Sequence, residues 1–256
     1  MILSIDVGNS HVFGGVFEGD KLGLRFRKVT QAGASSDELG LFLTGVLREN
    51  KLNPEDVRQI GICSVVPPVM HSIRGACVKY FGLRPFVLQP GARSGLSIRY
   101  KNPLELGSDR IANAIAAIHR FPGENLIIVS FGTATTYCVV SSKREHLGGL
   151  IMPGLKTSME ALENRTARLP SVEIVKPEMI VGRSTTECIQ SGLYFGALGA
   201  ARDLIPKIKQ ELFADEPVRV VATGGFSRLF EGESLFDVIE PDLIHYGIRQ
   251  ALLMNL

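Results

Sequence analysis

The sequence predicts an α/β protein made of two similar lobes, and three observations carry that prediction. Short runs rich in Val and Ile alternate with stretches of helical period, which is a pattern of mixed helix and sheet rather than of a bundle or a sandwich. The run Leu126-Ile127-Ile128-Val129-Ser130-Phe131-Gly132-Thr133-Ala134 lies over Ile2-Leu3-Ser4-Ile5-Asp6-Val7-Gly8-Asn9-Ser10 without a gap, strand on strand and glycine on glycine. Two further strands then follow in each half, at an offset of 124 residues that is too long for a solenoid repeat.

Taken in order, Ile2 to Val7 and His11 to Phe17 read as strands joined at Gly8-Asn9-Ser10, and Leu22 to Val29 alternates as a third, giving an antiparallel meander. Ser35-Ser36-Asp37-Glu38 supplies a capping box, after which Leu39, Phe42, Leu43, Val46 and Leu47 recur on one helical face. Ile60 to Val66 is a buried strand that Pro67-Pro68 stops. A helix starting near Pro103 carries Ile111, Ala114, Ile115 and Ile118 on one stripe. The pattern restarts at Gly123, with second and third strands at Thr136 to Ser141 and His146 to Met152. Helical stretches come after Pro153-Gly154, then the strand Val218 to Ala222 ending in Thr223-Gly224-Gly225, and a closing helix from Pro241 to Leu253. The expected lobes are therefore residues 1–120 and 121–256 with a cleft between them, the closing helix being free to return to the first lobe.

Composition narrows the function. With 45% hydrophobic and 21% charged residues the chain reads as an ordinary soluble globular protein, and 28 basic against 26 acidic residues, scattered along it, make no electrostatic case for nucleic acid or an anionic membrane. The four cysteines and five histidines show no metal-ligand spacing. No basic leader precedes the first strand and no apolar run approaches a membrane span, so a cytoplasmic protein is expected.

Four motifs could carry chemistry. Asp6-Val7-Gly8-Asn9-Ser10 is a tight turn after a buried strand; glycine admits a phosphate close to backbone, Asn9 and Ser10 add donors, and Asp6 can hold Mg2+ through water. A plain hairpin turn uses the same residue types. Phe131-Gly132-Thr133-Ala134-Thr135-Thr136 repeats the arrangement with more hydroxyls, and two such turns in matching halves suit a nucleotide phosphate clamp. Thr223-Gly224-Gly225-Phe226 either lets a flat adenine or ribose lie against bare backbone or simply turns a strand into a helix. Gly107-Ser108-Asp109-Arg110 opens a helix, where an acidic residue is ordinarily a dipole partner. Asp109 and Arg110 together also supply a base for an alcohol and a fork for a carboxylate.

At this point the residues resemble a family, the actin-like (ribonuclease H-like) ATPase and sugar-kinase fold and, within it, type III pantothenate kinase. The family's D-x-G-N-T, Y-x-N-P with G-A-D-R, D-F-G-T-A-T-T, L-G-G-x-I-x-P-G, G-x-x-T and T-G-G stand here at Asp6 to Ser10, Tyr100 to Pro103 with Gly107 to Arg110, Ser130 to Thr136, Leu147 to Gly154, Gly182 to Thr185 and Thr223 to Gly225. The resemblance implies ATP-dependent phosphorylation of pantothenate, the first step of coenzyme A biosynthesis. Asp6, Val7, Gly8, Asn9, Ser10, His11, Val12, Phe13 and Thr133 would line the ATP phosphates with Mg2+ near Asp6. Asp109 would accept the hydroxyl proton, and Tyr100, Gly107, Ser108, Asp109 and Arg110 would bind pantothenate. Thr185 would reach the substrate from the second subunit of a homodimer.

The informative departure is Ser130, where the family carries an aspartate that holds an activating K+ or NH4+. A hydroxyl can still coordinate such an ion but adds no ionic attraction. Two expectations follow: a kinase with altered monovalent-cation dependence, favoured because Asp6, Asp109, Arg110 and Thr133 are all present, or a non-catalytic regulatory relative. A phosphatase on the same fold would use water as acceptor, against which the cluster from Tyr100 to Arg110 argues.

Overall fold

The computed structural model describes residues 1–214 and 216–256. The chain divides into two compact units: Met1–Leu96 with Tyr100–Ala116 and Ile244–Leu256, and Ser97–Arg99 with Ala117–Leu243. Among the described residues no helix is long and apolar enough to cross a membrane.

In the first unit β1 (Ile2–Val7), β2 (His11–Glu18) and β3 (Lys21–Val29) form the antiparallel meander. After α1 (Ser36–Glu49), β4 (Gln59–Ser64) returns parallel to β1; then come α2 (Pro67–Phe81) and β5 (Phe86–Leu88), giving the sheet order β3-β2-β1-β4-β5. The capping box of α1 is complete: Glu38 N–H donates to Ser35 Oγ at 3.1 Å and Ser35 N–H to the Glu38 carboxylate at 2.6 Å. Pro67 and Pro68 do more than stop a strand. They occupy the first turn of α2, where a missing N–H costs nothing and the fixed φ suits the helix.

Alternation along β1 sorts its two faces. Leu3, Ile5 and Val7 join Leu39, Leu43 and Leu47 of α1 and Val69 and Ile73 of α2 in one core, each such side chain contributing about 1.5–3 kcal/mol by its burial. Ser4 and Asp6 therefore point to the opposite face, toward α3 (Ser108–Arg120) and α6 (Leu243–Met254). There Ser4 Oγ donates to Gly15 O at 3.0 Å and meets His245 Nδ1 of α6 at 2.8 Å. Glycine at 247 lets α6 approach the Ala112 backbone of α3 closely. The residues near Pro103 form only a 3-10 turn, Pro103–Glu105; extended backbone at Leu106 delays α3 to Ser108.

The second unit repeats the topology. Its β7 (Asn125–Phe131), β8 (Ala134–Val140) and β9 (Glu145–Pro153) form a meander, α4 (Leu155–Arg165) and α5 (Thr185–Phe213) follow, and β10 (Val218–Thr223) lies parallel to β7, with β11 (Val238–Ile239) beyond it. The order β9-β8-β7-β10-β11 matches the first sheet, and the short β6 (Ser97–Ile98) is added beside β9. Ile127, Val129 and Phe131 take the places of Leu3, Ile5 and Val7, packing in a core with Ile189, Leu193 and Leu198 of α5.

The gapless overlay fails at the first turn. Gly8 N–H donates to His11 O at 3.0 Å, whereas Gly132 N–H donates to Ala134 O at 3.1 Å, so the second turn is one residue tighter. Strand β8 is also one residue shorter than β2, seven against eight, and residues 141–144 replace the two-residue connection at 19–20. The losses and the gain cancel, which is why the third strands end 124 residues apart, at Val29 and Pro153.

Candidate active site

Asp6 stands next to last on β1, in register with Phe13 of β2 on one side and Cys63 of β4 on the other, and Phe13 is in turn opposite Arg27 of β3. Partners directly opposite share a face, so Arg27, Phe13, Asp6 and Cys63 form a row across four strands. Burial first, and the charge of Asp109 second, push the Asp6 carboxyl up to about 8, against a hydrogen bond from the Cys63 thiol that favours the ionised form.

The second carboxylate is placed by the start of α3. Ser108 is the first helical residue, buried, and its hydroxyl donates to Ser64 O at 2.8 Å while the Cys63 thiol donates to Ser108 Oγ at 3.3 Å. Of the residues expected to bind substrate, Ser108 thus turns its side chain inward. Asp109, the next residue, folds its carboxylate back over Gly107, where a Cβ would lie 2.5 Å from Asp109 Oδ1. Burial raises the Asp109 pKa, and a backbone hydrogen bond and the charge of Arg110 partly oppose it. Arg110 is itself buried and donates from Nη1 to Tyr100 Oη at 2.6 Å, its guanidinium 5.6 Å from the centroid of that ring. Asp6, Asp109, Arg110 and Tyr100 therefore belong to one unit, with the two carboxylates electrostatically coupled and the guanidinium oriented by a phenol.

Residues 8–11 form the turn beside Asp6. Thr30, just past β3, donates its N–H to Ser10 O at 3.0 Å and its hydroxyl to Gly8 O at 2.7 Å. Two turn carbonyls are thereby held on the Thr30 side. Asn9 and His11 are exposed, Ser10 and Phe13 half-buried, and Val7 and Val12 buried, so the last two shape the turn from within the core.

In the second unit Ser130 replaces Asp6 in the row. Its register partners are Thr136 and Thr223, so three hydroxyl residues lie side by side where the first sheet has Phe13, Asp6 and Cys63. Thr133 is exposed, and its carbonyl accepts from Gly154 N–H at 3.0 Å and Thr157 Oγ1 at 2.7 Å, the counterpart of the Thr30 brace. Gly224, at φ +91°, leans on the protein's own backbone: a Cβ there would meet Phe131 O at 2.7 Å, and Phe226 N–H donates to that same oxygen at 3.1 Å. The glycine's freedom is used for strand packing on that side. Thr185 opens α5, exposed, capped by Ser184, at the edge of a largely apolar cavity of about 630 Å³ that Cys188 and Leu193 also line.

Two contributors escaped the reading of the sequence. Cys63 belongs to no motif; only its register with Asp6 reveals a thiol beside the carboxylates. Thr30 follows a strand and carries no motif, yet it braces the turn.

A family model described as type III pantothenate kinase matches residues 2–207. A curated relative from Legionella pneumophila (strain Corby), named type III pantothenate kinase, is 57% identical over 255 residues, covering 100% of this chain and 99% of its own. One of the same name from Elusimicrobium minutum is 49% identical over the same span, again covering 100% and 99%. Among solved structures, a protein from Campylobacter jejuni described as a Baf family transcriptional activator superposes with a TM-score of 0.54 at 18% identity, over 99% of this chain and 98% of its own. One from Listeria monocytogenes described as an N-acetylmannosamine kinase gives 0.52 at 14%, over 98% of both chains. At such identities the structural likeness speaks to the fold alone, a duplicated actin-like ATPase fold that sugar kinases share.

Proposed function

Because the chain belongs to the type III pantothenate kinase family, we infer that it transfers the terminal phosphoryl group of ATP to the primary hydroxyl of pantothenate, as the entry step of coenzyme A synthesis. The observation that carries the reading is the pairing of Asp6 with Asp109 in one unit, beside an arginine braced by Tyr100.

Asp109 accepts the proton of the attacking hydroxyl. A carboxylate whose pKa is raised is a stronger base than a free one, and closer to the pH at which it works. Arg110 binds the pantothenate carboxylate, with Tyr100 limiting the guanidinium to few orientations. The turn from Asp6 to Phe13 takes the ATP phosphates, and Thr133 is assigned to nucleotide phosphate from the family motif alone. Catalysis by such a site is mainly positioning and charge neutralisation.

Asp6, Asn9 and Ser10 offer hard oxygen atoms, the donor type Mg2+ takes, largely through water. A single carboxylate among these donors suits an ion carried mainly by the nucleotide's phosphates. Mg2+ there supplies charge neutralisation, and its field favours the ionised Asp6. The row Thr223, Ser130 and Thr136 offers oxygen without charge, so K+ or NH4+ binds weakly or not at all and turnover depends little on it.

We further assign Thr185 to a site completed by a second copy of the chain. Supporting it, Met179, Ile180 and Val181, just ahead of α5, are each about two-thirds exposed or more (67%, 66% and 73%), an apolar run that a homodimer would cover. None of the four cysteines is joined in a disulfide, which suits the cytoplasm.

The test is direct. The purified chain is incubated with ATP, Mg2+ and pantothenate, with and without K+ or NH4+, and phosphopantothenate and ADP are measured. Equimolar formation of both supports the reading. ADP without phosphopantothenate, or neither, overturns it.

A further inference from the structure

We propose that Arg27 binds the β- and γ-phosphoryl groups of the nucleotide as a further positioning residue of the phosphate turn, an assignment that rests on the ATP-dependent reading above. Arg27 lies on β3 opposite Phe13, which lies opposite Asp6, so all three side chains project from the same face of the sheet. Two strand spacings of about 4.8 Å separate Arg27 from Asp6, a gap of which an arginine side chain lying along the row closes the greater part. The side chain leans that way: its guanidinium carbon is 4.5 Å from the centroid of the Phe13 ring.

A guanidinium resting on a ring keeps its N–H edge available, because stacking uses the face of the ion and leaves the in-plane fork for an anion. Arg27 remains exposed in that position. Arg25, on the same face two residues earlier, donates from Nη1 to Gly23 O at 3.1 Å. The stacking also removes rotamer freedom before the ligand arrives, which lowers the cost of ordering the side chain on binding. On this face His245, buried and 4.3 Å ring to ring from Phe13, has its pKa down to about 3, by burial first and by the charges of Arg25 and Arg27 after it.

A basic residue on an edge strand has a competing use, since β3 is the edge of its sheet and charge there discourages pairing with another chain. The two uses differ in what they recognise. A phosphate ligand distinguishes ATP from AMP; an edge guard distinguishes neither.

The experiment measures the affinities of ATP, ADP and AMP by titration calorimetry on the full chain and on Arg27→Gln and Arg27→Lys, together with KM for ATP and for pantothenate. A charge-assisted contact to phosphate predicts that Arg27→Gln weakens ATP about tenfold, weakens ADP less, and leaves AMP and the KM for pantothenate unchanged. Arg27→Lys keeps the charge but loses the fork, and recovers part of the loss. Unchanged ATP affinity in Arg27→Gln, or an equal loss for ATP and AMP, overturns the assignment. A wild-type chain that binds no ATP overturns the kinase reading itself, a result visible before any variant is made.

Discussion

Ser108 Oγ donates to Ser64 O at 2.8 Å and stands 3.3 Å from Cys63 Sγ, which ties the first turn of α3 to the end of β4. Asp109 is the next residue on that helix and Cys63 is the register partner of Asp6, so the tether sets how the two carboxylates face one another. Removing the hydroxyl strands a carbonyl and loosens the helix end. Ser108→Ala restores the alanine of the family's G-A-D-R motif, so kcat should be kept, while the lost tether should cost about 1–2 kcal/mol in urea denaturation. An unaltered unfolding midpoint would show the tether to be idle.

Asp109→Asn keeps shape and removes the base. Loss of a general base typically lowers kcat by about 10²–10⁴, and titration with ATP should show affinity close to wild type. With Asp109 as the proposed base, its ionised form is the active one, and burial raises its pKa. The rate with limiting pantothenate should therefore climb with pH through a midpoint above the ordinary carboxylate range and level off on the alkaline side. Substantial turnover by Asp109→Asn would remove the residue from the chemistry.

Asp6 makes a prediction of opposite sign for stability. Its pKa is about 8 in the fold against 3.8 for an unperturbed aspartate, so between those values the folded chain keeps a proton that the unfolded chain has released. The contribution to stability is complete below the lower value and is lost as pH rises toward 8. Asp6→Asn removes that pH-dependent loss: the ligand-free variant should exceed wild type by on the order of 2 kcal/mol near pH 8, and match it near pH 4, while binding Mg-ATP more weakly. Thermal melts at the two pH values decide it; equal melting temperatures at both would mean that burial of this carboxylate carries no such penalty.

Ser130→Asp restores a charge to the row between Thr223 and Thr136. Monovalent-ion attraction should return with it, so K+ should stimulate the variant several-fold more than it stimulates wild type, with Na+ as the control. Should wild type already respond strongly to K+, or the variant gain no response, the account of this position fails.

How much of this was legible in the residues depends on the range over which each feature is set. Alternation placed Leu3, Ile5 and Val7 on one face and Asp6 on the other, because strand period is a property of adjacent residues. Capping chemistry marked the start of α1 for the same reason. The repeat announced the second sheet, whose order matches the first apart from the added β6. The motifs named Asp6, Asp109, Arg110 and Tyr100, and the fold brought all four into a single unit.

The sequence by itself thus determined the elements, the duplicated plan and the chemistry-bearing side chains, since each is written in local pattern or in a run of adjacent residues. Tertiary structure alone decided that Cys63 lies beside Asp6, that Thr30 braces the turn, that Ser108 faces inward and that Arg27 rests on Phe13. Cys63 reaches Asp6 only after the chain has run through α1 and come back as β4, and the register of that return is chosen by packing of whole helices against the sheet. No local pattern encodes such a register, because the free energy that selects it is shared among residues far apart in the chain.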